Sequence, residues 1–390
     1  PPREDELIPL PEGSDVFLLP GRVPMGFAGA KNHLLAYDGE PDTGPVQAVS
    51  AFLAPAWLRL AHPAYEVQEE APPLPLFAYG PLGWMDGRFW TTGVRIDPER
   101  RQDPALFDLR EIRDRVQKER GLRPANILLR QLERCALEYQ CRAAQNYFLH
   151  RWEAPLPTSV ACNARCVGCI SAQDGEIPVT QERLTVPPPA TDVAEVALIH
   201  FGRVKHPVAS FGQGCEGEPL TRAEVLEEAV RRVRDGGGVG TMNLNSNASR
   251  PDAVAAIFDA GLDSIRISLN SARREAYEAY HRPVGYSFAD VEESARRAKA
   301  AGGFISLNLL VFPGVTDRVD EVEALEAWIE EFQVDMIQWR NLNIDPVLYL
   351  DTVGYGSGGD GACLGLLETV RRIQARFPGL RHGYFNPALR

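Results

Sequence analysis

Three cysteines stand close together in the stretch Cys162-Asn-Ala-Arg-Cys166-Val-Gly-Cys169. Thiolates are the usual ligands of iron–sulfur clusters, and three of them on one short loop can bind three irons of a four-iron cubane. The fourth iron then has no cysteine from this loop, so a small chelating molecule can bind it, much as catalytic metal sites keep one position open. Zinc is the alternative, but zinc sites of this kind usually have a second Cys or His pair at short spacing, and no histidine lies near. The spacing therefore predicts a cluster with one open iron.

The segments around the cysteines alternate between strand and helix patterns from about residue 155 onwards. The predicted strands are 158–161, 208–211, 239–245, 264–269, 304–312 and 336–342, and the predicted helices between them are 193–201, 222–234, 252–260, 289–301 and 319–332. Such an alternation predicts a parallel sheet with right-handed crossovers. The expected fold class is therefore α/β, with a partial (β/α)6 TIM-like barrel that is open at one side. Sites in such barrels form in the loops after the strands, where the cysteines stand.

Four regions are predicted along the chain. Residues 1–120 carry many prolines and short strand patterns, and we expect a small N-terminal domain that is mostly β or irregular. Residues 121–154 are expected to form a connecting helix, because apolar residues recur there and no Gly or Pro follows Pro124. Residues 155–345 form the predicted barrel, and residues 346–390 form a C-terminal extension. Because an open barrel exposes reactive intermediates to solvent, the N-terminal domain is expected to cover the gap or the mouth of the barrel. The alternative is a separate module that docks a partner.

A second motif, Gly212-Gln-Gly-Cys-Glu-Gly-Glu-Pro-Leu220, follows the second predicted strand. Glycine-rich turns expose backbone carbonyls, and these, with a carboxylate, can accept hydrogen bonds from an ammonium group. With the C-x3-C-x2-C spacing, this motif resembles the radical S-adenosylmethionine (SAM) superfamily. The resemblance implies that Cys162, Cys166 and Cys169 bind a [4Fe–4S] cluster, and that Gly217 and Glu218 help to bind the amino group of SAM.

The resemblance also implies a chemistry. In that family the open iron binds the amino and carboxylate groups of SAM, and one electron cleaves SAM to methionine and a 5′-deoxyadenosyl radical. The radical then abstracts hydrogen from a substrate, here a small molecule or a protein. Two positions depart from the family pattern: Glu216 replaces the first glycine of the Gly-Gly-Glu-Pro motif, and Gly168 stands where an aromatic residue is common.

Polar residues recur at the ends of the predicted strands. Ser268 and Asn270 are two positions apart on the fourth strand, so they share one face, and the same alternation offers Asn245 and Asn308 on the third and fifth strands. The resemblance implies SAM contacts from such strand ends, and Arg340 on the sixth strand is a candidate contact for SAM or substrate. Buried polar residues need hydrogen-bond partners, so bonding among the side chains themselves is the alternative at each position.

Four further cysteines, Cys135, Cys141, Cys215 and Cys363, are enough in number for an auxiliary cluster. On one predicted helix, the spacing of Cys135 and Cys141 places them about 120° apart around the axis, which argues against it. Buried free thiols are the preferred interpretation. Three alternative functions stay open: a radical SAM methyltransferase with unusual cobalamin binding, an iron–sulfur scaffold or electron carrier, and a zinc-stabilised interaction protein.

The composition limits the possible partners. Lys plus Arg number 41 against 53 Asp plus Glu, which gives a net charge of −12 and argues against a broad surface for nucleic acid or anionic membrane. No apolar run approaches the roughly 18–20 residues that span a bilayer. The first residues lack a signal-peptide pattern, so we expect a cytoplasmic protein without a membrane partner. The resemblance implies an electron donor such as flavodoxin or ferredoxin.

Overall fold

The computed structural model describes residues 3–28, 33–36, 46–173, 177–355 and 361–390. The first third of the chain contains short strands followed by helices. The strands are β1 (Leu7–Pro9), β2 (Asp15–Leu19), β3 (Arg22–Ala28), β4 (His33–Ala36), β5 (Ala48–Phe52), β6 (Trp57–Arg59), β7 (Tyr65–Val67), β8 (Gly83–Met85) and β9 (Arg88–Arg95). The helices are α1 (Leu109–Leu122), α2 (Ile127–Leu137) and α3 (Arg142–Phe148).

The rest of the chain alternates between strands and helices. The elements in chain order are β10 (Glu153–Pro155), α4 (Ala190–Phe201), β11 (Val208–Phe211), α5 (Ala223–Asp235), β12 (Thr241–Ser246), α6 (Pro251–Asp259), β13 (Ser264–Leu269), α7 (Arg274–His281), α8 (Phe288–Ala300), β14 (Phe304–Val311), α9 (Val319–Glu331), β15 (Met336–Asn341), α10 (Pro346–Val353), α11 (Leu366–Arg376) and β16 (Arg381–Gly383).

A parallel sheet with the strand order β10-β11-β12-β13-β14-β15-β16 forms the centre of this second part. Strand β13 shows why it curves around a polar interior. Ile265, Ile267 and Leu269 point to one face and belong to the same buried core as the helices, whereas the alternate residues are polar. On the polar face, Arg266 of β13 hydrogen-bonds Gln338 of β15 at 3.0 Å, past the intervening strand β14. The interior of the partial barrel is therefore polar, and Arg266 and Gln338 face it from strands on either side of β14.

The predicted α/β fold with a partial TIM-like barrel is confirmed, and two details differ. The first strand is β10 rather than 158–161, because the backbone of Thr158 and Ser159 instead donates hydrogen bonds to the Glu216 carboxylate. The C-terminal region contributes β16, which pairs with β15 as a seventh strand of the sheet.

The connecting helix expected over residues 121–154 is instead two helices, α2 and α3, that follow the end of α1. Helix α2 is capped by the Asn126 side chain, which accepts from the Leu129 N–H at 2.8 Å. The chain then turns at Gln140, whose φ is +50°, and the Cys141 N–H donates to the Cys135 carbonyl. The sequence carries no Gly or Pro at this turn, so the break had no sequence signal.

The N-terminal part consists of small antiparallel sheets, in which β9 pairs with β1, β6 and β8, β2 pairs with β5, and β3 pairs with β4 and β7. It packs against the C-terminal end of β15. The Asn341 side chain accepts from the Arg59 N–H at 3.0 Å and donates to the Trp57 carbonyl at 2.8 Å. The buried Arg22 pairs with Asp345 at 3.1 Å.

The segment after β9 joins the two edges of the open barrel. Asp97 accepts from the backbone N–H of Tyr384, which directly follows edge strand β16, at 2.8 Å. The Arg101 carbonyl accepts from the side chain of Asn146, which lies on the helix before edge strand β10, at 3.1 Å. Residues 97–101 therefore contact the residue after edge strand β16 and the helix before edge strand β10, and these contacts favour the expectation that the N-terminal part covers the gap.

The C-terminal tail crosses the N-terminal ends of the strands. The Leu389 N–H donates to Thr241, which begins β12, and Arg390 pairs with Asp263, which precedes β13. Between these contacts and β16, the Asn386 side chain enters the interior, where it donates to Glu153 at 2.7 Å and accepts from Gln338 at 2.8 Å. The tail thus closes the end of the barrel opposite the cysteine loop. Among the described residues no helix has both the length and the apolar character to span a membrane.

The buried pair Arg22–Asp345 gives a test of how firmly the N-terminal part is held. The substitution Asp345→Asn keeps the size of the side chain but leaves the Arg22 guanidinium buried without a counter-charge, so we expect the free energy of unfolding to fall by about 3 kcal/mol or more. Urea unfolding measures this loss. The control is Glu227→Gln, which breaks an exposed pair with Arg231 and should cost less than about 1 kcal/mol. Equal effects of the two substitutions would contradict the prediction.

Candidate active site

The cysteine loop is held by the last residues of helix α7 and by the segment that follows them. The Arg165 N–H donates to the His281 carbonyl at 3.0 Å, and the Val167 N–H donates to the Tyr280 carbonyl at 3.0 Å. On the return of the chain, the Val284 N–H donates to the Asn163 carbonyl at 2.9 Å. The loop therefore has a backbone partner along most of its length, although the predicted strands gave no hint of α7.

The side chain of Asn163, beside the first cysteine, ties the loop to the end of β12. Its amide nitrogen donates to Ser249 at 2.9 Å, and its oxygen accepts from Asn247 at 2.9 Å. Contacts from the end of β12 and from helix α7, which follows β13, thus fix the position of the cysteine loop relative to the barrel.

The three thiols differ in their electrostatic surroundings, and all three are half-buried. Burial raises the pKa of Cys162 and of Cys166. Burial also opposes ionisation of Cys169, but hydrogen bonds from Ser171 and from the Arg183 guanidinium, 3.5 Å away, outweigh it and hold the pKa of this thiol below its ordinary value. Cys169 is therefore the thiol that ionises first, and a bound metal deprotonates a coordinating thiol outright.

The donor set fits an iron–sulfur cluster. The loop offers three sulfur ligands, the soft donors that iron–sulfur clusters use. Within the described ranges, no group of three or more His, Cys, Asp or Glu side chains is arranged to hold a single metal ion. A cubane makes a different demand, because each thiolate binds its own iron rather than one shared ion.

The side chain of Tyr280 lies beside Gly168, the position of the cysteine loop where an aromatic residue is common in the family. A Cβ atom on Gly168 would stand 2.7 Å from the hydroxyl oxygen of Tyr280, a buried residue of α7. The glycine therefore makes room for a tyrosine that comes from another element. The sequence contained Tyr280, but only the course of α7 brings it to this loop.

Glycine is required at position 217 by a close approach of two loops. The Gly217 N–H donates to the Ser159 carbonyl at 2.8 Å, and the Glu218 N–H donates to the Ala161 carbonyl at 2.8 Å. A Cβ atom on Gly217 would overlap with the Ala161 carbonyl oxygen. The 212–220 motif and the start of the cysteine loop are thus in direct backbone contact.

The buried carboxylate of Glu216, which departs from the family pattern, fastens the same two loops. It accepts backbone N–H bonds from Thr158 and Ser159 on one side, at 2.7 and 3.0 Å, and from Gly212 and Gln213 on the other, at 2.7 and 2.8 Å. Burial raises its pKa to about 7, while these four N–H donors oppose that shift. Because all of the partners are donors, the ionised form fits the geometry.

The Glu218 side chain is buried, and donors of the protein use part of the hydrogen-bonding capacity of its carboxylate. Its carboxylate accepts from the Leu220 N–H at 3.0 Å, the Ser246 hydroxyl at 2.6 Å and the Asn247 N–H at 2.9 Å. Burial raises the pKa of Glu218. An ionised carboxylate can accept about four hydrogen bonds, so one position is left for an ammonium group.

The strand-end residues differ in whether all of their side-chain hydrogen-bonding groups have partners in the protein. Asn245 is fully engaged, since its amide nitrogen donates to the carbonyls of Phe211 and Gly212 and its oxygen accepts from Asn243. Asn270 donates to the Ala276 carbonyl, but its buried side-chain oxygen has no partner in the described part of the chain.

Ser268, Asn308 and Arg340 line the interior and keep part of their surface accessible. Asn308 donates to Ser268 at 3.3 Å, and Arg340 donates to the Tyr384 carbonyl at 2.6 Å. Arg266 faces the same interior but was not among the predicted site residues. The alternation of β13, which also gave Ser268 and Asn270, contained that signal.

Cys135, Cys141 and Cys215 lie closer together than the sequence suggested. A hydrogen bond with Cys215 lowers the pKa of Cys135, and the same bond raises the pKa of Cys215. Cys141 packs against the same apolar core. The argument from one continuous helix was wrong, because α2 ends at Leu137. The three thiols stay free cysteines in an apolar setting, and Cys363 is exposed.

Comparison with known proteins identifies the barrel. Residues 156–328 match the family model of the radical SAM superfamily. Residues 156–328 are therefore a radical SAM domain. The match begins directly after β10 and includes the cysteine loop and the 212–220 motif. A [4Fe–4S] cluster and SAM, the cofactors that the resemblance implies, are those of this superfamily of enzymes.

Two curated relatives match less than half of the chain. GTP 3′,8-cyclase of Corynebacterium glutamicum (strain R) is 29% identical over 175 residues, which are 44% of each chain. GTP 3′,8-cyclase of Pelotomaculum thermopropionicum is 31% identical over 172 residues, 42% of this chain and 47% of the relative. The chain thus spans less than half the length of these two relatives.

Solved structures with a similar fold are more distant. A radical SAM methyltransferase from Sphaerobacter thermophilus is 14% identical with a TM-score of 0.40, over 58% of this chain and 64% of the other. The FeFe-hydrogenase maturase HydG from Carboxydothermus hydrogenoformans is 13% identical with a TM-score of 0.42, over 70% of each chain.

The cysteine loop gives a prediction on metal content. Anaerobically reconstituted protein should bind about four irons per chain, and Cys162→Ala, Cys166→Ala and Cys169→Ala should each lose most of them, because each removes one iron ligand. Iron analysis and the visible absorption spectrum measure this. The matched control is Cys363→Ala, an exposed cysteine outside the loop, which should keep the cluster. Normal iron content in all three loop variants would contradict the assignment.

The Glu216 carboxylate gives a prediction on how the loops are held together. Glu216→Gln turns an N–H donor toward backbone N–H groups, so we expect the free energy of unfolding to fall by at least about 2 kcal/mol and the iron content to drop. Urea unfolding and iron analysis measure the two effects. The control Glu224→Gln changes an exposed carboxylate of α5. A Glu216→Gln variant as stable as the unmodified protein would contradict the prediction, because the Glu216 carboxylate would then contribute nothing to the stability of the fold.

Proposed function

We propose that this chain is a radical SAM enzyme that cleaves SAM reductively and abstracts hydrogen from an organic or protein substrate. The observation that carries the proposal is the direct backbone contact between the cysteine loop and the Gly217–Glu218 turn. When bound, the cluster supplies the electron that cleaves SAM to methionine and a 5′-deoxyadenosyl radical. The residues described below bind, orient and shield the reactants.

The turn at Gly217 sets the position of the methionine end of SAM. Because Gly217 and Glu218 each donate a backbone hydrogen bond to the cysteine loop, the free acceptor position of Glu218 has a fixed place relative to the three thiols. The ammonium group of SAM, if bound there, would lie beside the loop whose three thiols would hold the cluster. In this proposal Asn245 is a positioning residue, because its side chain holds the Phe211 and Gly212 carbonyls at the start of the motif.

The other end of SAM is assigned to the ends of β13 and β14. Ser268 and Asn308 keep part of their polar surface accessible in the interior, and Asn270 has a free side-chain oxygen. A buried acceptor without a partner costs free energy, and a ribose hydroxyl would satisfy it. Tyr280 lies beside Gly168, the position where an aromatic residue is common in the superfamily. In this proposal Tyr280 takes the place of that aromatic residue.

In this proposal the N-terminal part excludes water from the barrel interior. A carbon-centred radical must be kept from solvent and from stray thiols, as any reactive intermediate must. Residues 97–101 contact both edges of the open barrel, and Asn341 and Arg59 hold the N-terminal sheets at the end of β15. A small electron-transfer protein such as flavodoxin or ferredoxin is the proposed reductant.

A second candidate function comes from the curated relatives, whose printed name is GTP 3′,8-cyclase. A purine nucleoside triphosphate is therefore a candidate substrate. The match covers less than half of the first two of these relatives, so this candidate is tested as one member of a substrate panel.

Product analysis tests the proposed function. Reduced, cluster-loaded protein incubated with SAM should release 5′-deoxyadenosine and methionine, because the open iron and the Gly217–Glu218 turn together bind the methionine end. Chromatography measures both products. Cys169→Ala should release neither, whereas Cys363→Ala should behave like the unmodified protein. Release of S-adenosylhomocysteine alone would contradict radical cleavage and point to methyl transfer.

A further inference from the structure

Two arginines face each other across the barrel interior. Arg266 of β13 donates to the Gln338 side-chain oxygen at 3.0 Å, and Arg340 of β15 donates to the same oxygen at 3.5 Å. Arg340 also lies over the Tyr384 ring, with 3.7 Å between the guanidinium carbon and the ring centroid. A neutral amide oxygen thus stands between two guanidinium groups.

Neither arginine has a carboxylate partner. Most ion pairs of the chain join an arginine to an acid within 4.0 Å, as Arg234 pairs with Asp263 at 2.6 Å, but no such pair involves Arg266 or Arg340 among the described residues. The Nε atoms of both are buried and have no hydrogen-bond partner there. Each therefore has donor capacity that the protein leaves unused.

The interior around the pair carries a surplus of positive charge. Burial and then the neighbouring Arg340 lower the pKa of Arg266 to about 9, and Glu153 is the acid that opposes this shift. Glu153 is itself bound by the Asn386 side chain at 2.7 Å. One carboxylate near two guanidinium groups leaves one positive charge unbalanced.

The charge lies where a ligand can reach it. Arg266, Arg340, Ser268, Asn308 and Leu310 all keep part of their surface accessible within the barrel, whereas the alternate residues of these strands are buried. A guanidinium out of bulk water without a counter-charge is costly, and a bound anion offsets that cost. The planar donors of arginine match the oxygens of carboxylates and phosphates.

We propose that Arg266 and Arg340 bind an oxyanion of the substrate, a carboxylate or a phosphate. This inference rests on the proposed function, since it takes the barrel interior as the substrate chamber. By strand register, Arg266 lies two residues before and Arg340 two residues after the level that Ser268, Asn308 and Gln338 share, and both guanidinium groups meet at Gln338. The oxyanion of the substrate would therefore bind beside Gln338, on the β15 side of the interior.

Calorimetric titration of cluster-loaded protein tests the oxyanion site. The probes are pyrophosphate and GTP for phosphates, and malonate for carboxylates. We expect one of the two chemical classes to bind, and Arg266→Met and Arg340→Met to weaken it at least about tenfold, because each removes a charged hydrogen-bond donor. Arg231→Met, which removes an exposed arginine of α5, should leave the affinity unchanged.

Gln338→Glu separates a binding role from a structural one without removing either arginine. The new carboxylate lies between the two guanidinium groups and takes the place of the ligand, while the hydrogen bond that the Gln338 amide donates to Asn386 is lost. The variant should keep the circular dichroism spectrum and the iron content of the unmodified protein but should lose anion binding. Anion affinity unchanged in all three interior variants, or no binding of any probe, overturns the proposal.

The two proposals fail separately. Release of 5′-deoxyadenosine without any effect of Arg266 or Arg340 on anion binding leaves the radical SAM function standing and removes the oxyanion site. Anion binding that depends on both arginines, in protein that never releases 5′-deoxyadenosine, retains the site and removes the proposed reaction.

Discussion

The arrangement of this site depends on one buried carboxylate. Glu216 accepts backbone N–H bonds from the residues before the cysteine loop and from the first residues of the 212–220 motif. Without it, the two loops would each end in unsatisfied amides beneath a site that must hold a cluster and a charged cofactor. The close contact of Gly217 with Ala161 then follows, since the loops are already drawn together. The position that departs from the family pattern is thus the one that builds the contact.

Polar groups fill the barrel interior in two different ways. Toward the closed end, Asn386, Gln338 and Glu153 satisfy one another, and Asn243 and Asn245 do the same along β12. Beside the same Gln338, Arg266 and Arg340 share its neutral side-chain oxygen and retain unused donors. Satisfied networks make a core rigid, whereas unsatisfied groups in an accessible space favour a ligand.

Much of the barrel could be predicted from local patterns, since apolar and polar residues alternate clearly along the strands; β11 and β13 have the predicted bounds. The cysteine spacing alone led to the cluster. The remaining features depend on long-range contacts: residues 158–161 have a strand-like composition, yet their amides are taken by Glu216. Similarly, Tyr280 reaches Gly168 only because α7 folds back on the loop, and Arg266 and Arg340 share Gln338 only because β13 and β15 face the same interior.

The C-terminal tail has a kinetic consequence. Because Asn386 and the residues after it close the far end of the barrel, a substrate bound as proposed at Arg266 and Arg340 would have to enter past the cysteine loop, through the mouth that SAM would also use. On this proposal the two ligands share one entrance. High concentrations of SAM would then inhibit turnover, since SAM that arrives first would block the entrance for the substrate.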